Sequence, residues 1–168
     1  SESDESSGGR GVEAAASKSA KVEGWARSAA GCGLPGGVTA AAIAASLGIG
    51  ALTSAILVTN NLRDIPTDHS SGKLTLAIRL GDSKTRALYV ALIVIAFVAG
   101  AVVALVNSGD GLWPLLGLAA LPWAVPPLRV VTSGAVGPGL IAALVATGRL
   151  VIAYCVALSA GLILPLFI

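Results

Sequence analysis

Three stretches of this sequence run for about twenty residues without a charged side chain: residues 38–59, 87–106 and 150–168. A helix of about 20 residues is as long as the ~30 Å hydrocarbon core of a bilayer is thick, and inside that core a chain must satisfy its own backbone hydrogen bonds. Such runs restrict the fold to membrane-spanning helices. A fourth uncharged run, 112–128, contains Pro114, Pro122, Pro126 and Pro127. It predicts a kinked or shortened helix whose freed backbone groups rely on neighbouring protein. A mean hydropathy of +0.85, with 55% hydrophobic and 12% charged residues, disfavours a soluble helical bundle. The expected fold class is all-α: a polytopic transmembrane bundle of about four spans, with the lipid bilayer as its solvent.

Residues 1–37 differ in kind. They are rich in serine, glycine and alanine, with five acidic and four basic side chains, and too few large apolar groups to offset the entropy of ordering. A flexible polar tail is expected there, ahead of a transmembrane region at 38–168. The tail opens acidic, unlike a secretory signal, and the chain contains no methionine. Cys32 and Cys155 are solitary and fit neither a disulfide framework nor a zinc site. In the first span, "GIG" at Gly48 to Gly50 suits close helix–helix packing. The net charge of +2 gives no sign of a nucleic-acid partner.

Charge outside the tail concentrates between Asn60 and Arg86, which holds five basic residues. "NSGDG" at Asn107 to Gly111 holds none, and Arg129 and Arg149 bracket the third connection. The positive-inside rule then places the first and third connections in the cytoplasm, in a multi-pass protein of the cell membrane. It leaves the basic tail outside, where the rule fits poorly.

The stretch "NNLRDIPTDHSSGKLTLAIRLG" at 60–81 needs more than a topological reading, although a solvated loop with basic residues is the plain alternative. Asp64 and Asp68 are four residues apart, so a helical backbone puts two hard oxygen ligands on one face, suited to magnesium. Pro66 should interrupt that helix, with Asp64 closing one segment and Asp68 in the first turn of the next. Arg63, Lys73 and Arg79 are cations spaced to surround an anion, Arg suiting bidentate phosphate contact and Lys acting as a point charge. Carboxylates, cations and magnesium at a membrane surface point to a diphosphate site. His69, beside Asp68, reads as a solvated loop residue.

With its paired asparagines, Arg-Asp-x-x-x-Asp, Gly-Lys-x-Thr-Leu and Arg-x-Gly, this stretch resembles the second aspartate-rich motif of the UbiA-type intramembrane prenyltransferases. It is most similar to the branch that prenylates 1,4-dihydroxy-2-naphthoate in menaquinone synthesis. The resemblance covers about residues 38–168. It implies a helical bundle around a cavity in which Asp64 and Asp68 hold magnesium bound to a polyprenyl diphosphate. Asn60 and Asn61 would be polar supports, and Lys73 and Arg79 would sit in a cytoplasmic cap, binding the diphosphate or steadying the loop. The prenyl group would pass to the naphthoate ring with loss of its carboxylate, giving demethylmenaquinone.

The family carries two such motifs and this chain only the second, so it resembles the carboxyl-terminal half of a bundle of about nine helices. "KVEGWARSA" at Lys21 to Ala29 weakly resembles the stretch before the family's first helix. The expectation is therefore a sequence that is internally deleted or incomplete, lacking five helices between about Arg27 and Val38. Restoring an odd number would return the tail to the cytoplasm. Three other readings compete: a non-catalytic membrane fragment or assembly partner, a UbiA-type enzyme with another acceptor, and a small transporter. The last is disfavoured because the four spans, as bounded here, carry no ionisable group. Trp113, Trp123 and Tyr154 read equally as interface anchors or ring contacts; Tyr89 and Phe97 read as packing or lipid-facing.

Overall fold

A computed structural model describes residues 39–106 and 113–164; the tail at 1–37, Cys32 and the connection 107–111 lie outside the described residues. Helix α1 runs from Ala40 to Ser70, 31 residues. Thr39 starts it, its side chain accepting the Ala42 N–H at 3.2 Å, and an alanine- and leucine-rich run sustains it. At 1.5 Å per residue α1 is roughly 46 Å long, well beyond the hydrocarbon thickness, so its charged end stands clear of the lipid core.

Two expectations about this helix are corrected. It continues through Pro66 without a break, at the loss of the one hydrogen bond that an N–H at 66 would give the Leu62 carbonyl. Asn60, Asn61, Arg63, Asp64 and Asp68 consequently ride on the helix rather than in a loop. The irregular part of the 60–86 stretch shrinks to 71–75 and Gly81, around a short helix α2, Leu76–Leu80.

Helix α3, Asp82–Val106, returns through the bilayer. The proline-rich run is a 3₁₀ segment, Trp113–Ala120, that passes into α4, Leu121–Thr132. Pro122 occupies its first turn, and Pro126 and Pro127 withhold the donors that would meet the Pro122 and Trp123 carbonyls. A 3₁₀ turn, Gly137–Leu140, leads into α5, Ile141–Ile163. Four helical stretches are long and apolar enough to cross a membrane: Ala40–Ser70, Asp82–Val106, Leu115–Thr132 and Gly137–Ile163. The last begins well before Leu150. Arg149 is therefore an exposed residue in the middle of a helix rather than the edge of a connection, and the spans are not free of ionisable groups.

Helix α1 packs mainly on α3, and α5 on the 3₁₀ segment and α4, with α1 and α5 also in contact. Two buried hydroxyls set the register of α3 against α5. Tyr89 Oη lies 2.8 Å from Thr147 Oγ1, and Tyr154 Oη donates to the Ala96 carbonyl at 2.8 Å. Each pair spans 58 residues, so the helices run parallel with the two bonds two turns apart. Tyr89, Phe97 and Tyr154 are thus packing residues, the last two in an edge-to-face pair with centroids 5.7 Å apart. Trp113 and Trp123 remain exposed.

The Tyr154 hydroxyl fits only because two residues beside it lack a side chain. A Cβ on Gly48 would stand 2.6 Å from Tyr154 Oη, and one on Gly100 2.8 Å. Small residues at such a crossing let helix backbones approach where lipid gives no hydrophobic drive for association.

At the charged end of the bundle, Arg86 ties three elements together. Its guanidinium forks onto Asp82 with both bonds at 2.7 Å, donates to the Ala135 carbonyl at 2.8 Å, and reaches the Val131 carbonyl in the last turn of α4. The Val131 carbonyl is one of those a helix end leaves unpaired. Asp82 in the first turn of α3 also suits the positive end of that helix.

In detergent micelles, Gly100→Ala should cost about 1–3 kcal/mol of unfolding free energy through overpacking. Combining it with Tyr154→Phe should cost less than the sum of the single changes, because the next contacts stand at 3.4 and 3.5 Å. Strict additivity would contradict the crossing described. Arg86→Ala should cost about 1.5–3 kcal/mol, with Arg86→Lys restoring little because lysine lacks the fork. Limited proteolysis between Thr132 and Gly137 should accelerate in both variants.

Candidate functional site

The charged end of α1 is built on one helical stripe. Residues 43, 47, 50, 54, 57, 61, 64 and 68 are spaced alternately by four and three, which holds them on one face. Ile43, Leu47, Gly50, Ser54 and Leu57 are exposed, Asn61 and Asp64 half-buried, and Asp68 buried. The opposite face, with Gly48, Leu52, Ala55, Thr59 and Leu62, is buried in the bundle. The two carboxylates therefore stand on the side of α1 turned away from the four-helix core. Below them the stripe passes through amide to small and apolar residues.

Asp68 is buried because the chain folds back over it. The Lys73 N–H donates to the Asp68 carbonyl at 3.0 Å, Ser71 Oγ donates to the same oxygen at 3.2 Å, and Lys73 Nζ lies 3.8 Å from Asp68 Oδ1. The lysine itself is mostly exposed, so this is a loose point contact. Asp64 is held differently. Arg63 Nε donates to Oδ1 at 2.7 Å and Nη2 to Oδ2 at 3.1 Å, a two-point fork in which both side chains are about one-third exposed. Asp64 thus faces Arg63 closely and Lys73 at longer range, both holding its carboxyl below the usual carboxylate range, while Asp68 faces Lys73.

Arg63 and Lys73 are the cations gathered here. Arg79, on α2, is exposed and has no ion pair or side-chain hydrogen bond among the described residues, and the same is true of the Asn60 and Asn61 side chains. His69 is exposed in the last turn of α1. Residue spacing did not single out Arg86. Its i,i+4 relation to Asp82 is a readable signal, whereas its carbonyl partners 45 and 49 residues away leave none.

Among the described residues no three His, Cys, Asp or Glu side chains come together. Two carboxylates one turn apart nonetheless suit magnesium, which commonly takes one or two protein carboxylates and completes its shell with water and phosphate oxygens. Further ligands would come from the substrate or from outside the described residues. Asp64 is partly open to that role, whereas Asp68 is reached only past the segment that folds over it.

The sequence matches the UbiA prenyltransferase family over residues 22–133. It is 45% identical over 115 residues to a Mycobacterium leprae protein named 1,4-dihydroxy-2-naphthoate octaprenyltransferase, covering 68% of this chain and 38% of that protein. A Mycobacterium tuberculosis protein of the same name is 41% identical over 120 residues, covering 71% and 40%. An Escherichia coli protein of that name is 40% identical over 84 residues, covering 49% and 26%. The chain thus spans about 40% of the length of its mycobacterial relatives. No solved structure matches it. With the family match extending over more than half of its residues, the chain belongs to the UbiA prenyltransferase family.

Proposed function

We propose that this chain provides one side of a membrane-embedded site that transfers a polyprenyl group from its diphosphate to 1,4-dihydroxy-2-naphthoate. The observation that carries this reading is the open stripe of α1, where Asp64 and Asp68 crown a face that becomes progressively apolar. A prenyl diphosphate has the same polarity: an anionic head and a long hydrocarbon tail. Its head would sit at the carboxylate end, on the cytoplasmic side of the cell membrane by the excess of Lys and Arg in 60–86, with its tail along the face below. The relatives' names support the aromatic acceptor.

Asp64 and Asp68 would hold magnesium, which when bound supplies positive charge to the diphosphate oxygens. Arg63 and Lys73 add fixed positive charge beside the leaving group as its C–O bond to the allylic carbon breaks. The naphthoate ring then bonds to that carbon, and its carboxylate leaves as carbon dioxide, its electron pair returning to the ring. The product would be demethylmenaquinol, the quinol form of demethylmenaquinone, so the step needs no oxidant. Lys73 also holds the segment over Asp68 in place through its backbone bond, which limits water access from that side.

A second reading has its own support: the chain covers 38% and 40% of its mycobacterial relatives and gathers only two acidic ligands among the described residues. A non-catalytic half that packs against further helices would have those properties. Membranes carrying the chain, labelled polyprenyl diphosphate, magnesium and dihydroxynaphthoate separate the two. Metal-dependent product from the wild type, reduced roughly 10²–10³-fold by Asp64→Asn or Asp68→Asn, is expected of the enzyme. No product at any magnesium concentration is expected of the fragment.

A further inference from the structure

Two arginine–aspartate forks occur at the charged end of this bundle, and their surroundings differ. The Arg86 side chain is 12% exposed and bonds two backbone carbonyls besides Asp82, so it is fixed in place. The Arg63 side chain is 31% exposed, and its one side-chain partner among the described residues is Asp64. Nothing else there holds its guanidinium against α1.

We propose that Arg63 is an exchange latch: it competes with the metal for Asp64 and, once displaced, grips the diphosphate. The competition follows from occupancy, since Nε takes Oδ1 and Nη2 takes Oδ2, engaging both oxygens of the carboxylate. A magnesium ion needs one of those oxygens at about 2.0–2.1 Å, where a guanidinium on the same oxygen places two cations in near contact. Exchange costs little, because the pair is partly exposed and water can take over the contacts each partner gives up. The displaced guanidinium keeps its planar fork and matches two oxygens of a phosphate, on a neighbour of the very residue that now holds the metal.

Asp68 lacks such a guard. Its partner Lys73 stands 3.8 Å away on a largely exposed side chain and forms no fork on its carboxylate. The latch couples the two ligands. Diphosphate draws Arg63 off Asp64 and favours metal binding, and by reciprocity metal at Asp64 favours diphosphate. Removing the guanidinium should therefore move the two affinities in opposite directions, which loss of a merely structural contact would not do.

This inference rests on the metal-binding reading of Asp64 and Asp68, and the test separates the two. The purified chain in lipid nanodiscs is titrated with manganese, free ion being counted by electron paramagnetic resonance, and then with labelled inorganic pyrophosphate at fixed manganese. Arg63→Gln should bind manganese alone about two- to fivefold more tightly than wild type, the range that loss of an exposed pair allows. It should retain manganese–pyrophosphate several-fold more weakly. Arg63→Lys, which keeps the charge without the fork, should fall between in both titrations, and unchanged far-ultraviolet circular dichroism verifies the fold of each variant. Equal or weaker manganese binding by Arg63→Gln, or unchanged pyrophosphate binding, overturns the latch. Manganese binding that is absent from wild type and variant alike, or that survives in Asp64→Asn/Asp68→Asn, overturns the metal reading as well.

Discussion

A peptide group in hydrocarbon has no water to bond, and the rest of this structure depends on that constraint. It forces the uncharged runs into helices. The cost of placing charge in hydrocarbon likewise favours charged residues at helix ends, with Arg149 inside a span as the exception. Helix α1 resolves both demands in one element: at 31 residues it is longer than the bilayer core, and its last turns carry the aspartates and Arg63. The motif is thus rigidly mounted. A helix holds Asp64 and Asp68 one turn apart far more exactly than a loop of the same residues would.

Between the spans, close packing replaces hydrophobic drive. Gly48 and Gly100 leave the space that the Tyr154 hydroxyl fills, and that hydroxyl reaches the Ala96 carbonyl. Tyr89 and Thr147 repeat the arrangement two turns away. These paired bonds fix α5 against α3, and the Gly48 crossing brings α1 to the same point. The inward face of α1 is committed to this packing, so its outward stripe is the side left to carry Asp64 and Asp68.

The same chemical pair serves two ends at this site. Where Arg86 bonds Asp82 and two backbone carbonyls at once, its fork on Asp82 is structural. Where Arg63 meets only Asp64 at a partly exposed position, the fork is replaceable. Burial and the number of simultaneous bonds, rather than residue type, separate an anchor from a latch. The aspartate stripe also faces away from the described bundle, as a surface meant to meet something else would.

Much of the fold was legible in the residues. Uncharged runs marked four helices, prolines marked the irregular one, and the spacing of Asp64 and Asp68 marked the candidate metal ligands. Two misreadings came from treating local signals as boundaries. Pro66 suggests a break, yet it removes one hydrogen bond and α1 continues through it to Ser70. Arg149 was read as the edge of a span, yet an exposed long side chain is tolerated within a helix. The sequence by itself determined that the chain forms membrane-spanning helices with a charged, aspartate-bearing end, because transfer of side chains and peptide groups into lipid is a local free energy. Only the tertiary structure decided which face of α1 is buried, that Tyr154 fills the gap at Gly48 and Gly100, and that Arg86 bonds two distant carbonyls while Arg63 pairs with its neighbour Asp64. Those outcomes depend on groups distant in sequence, whose approach is set by packing rather than by any property of the residues alone.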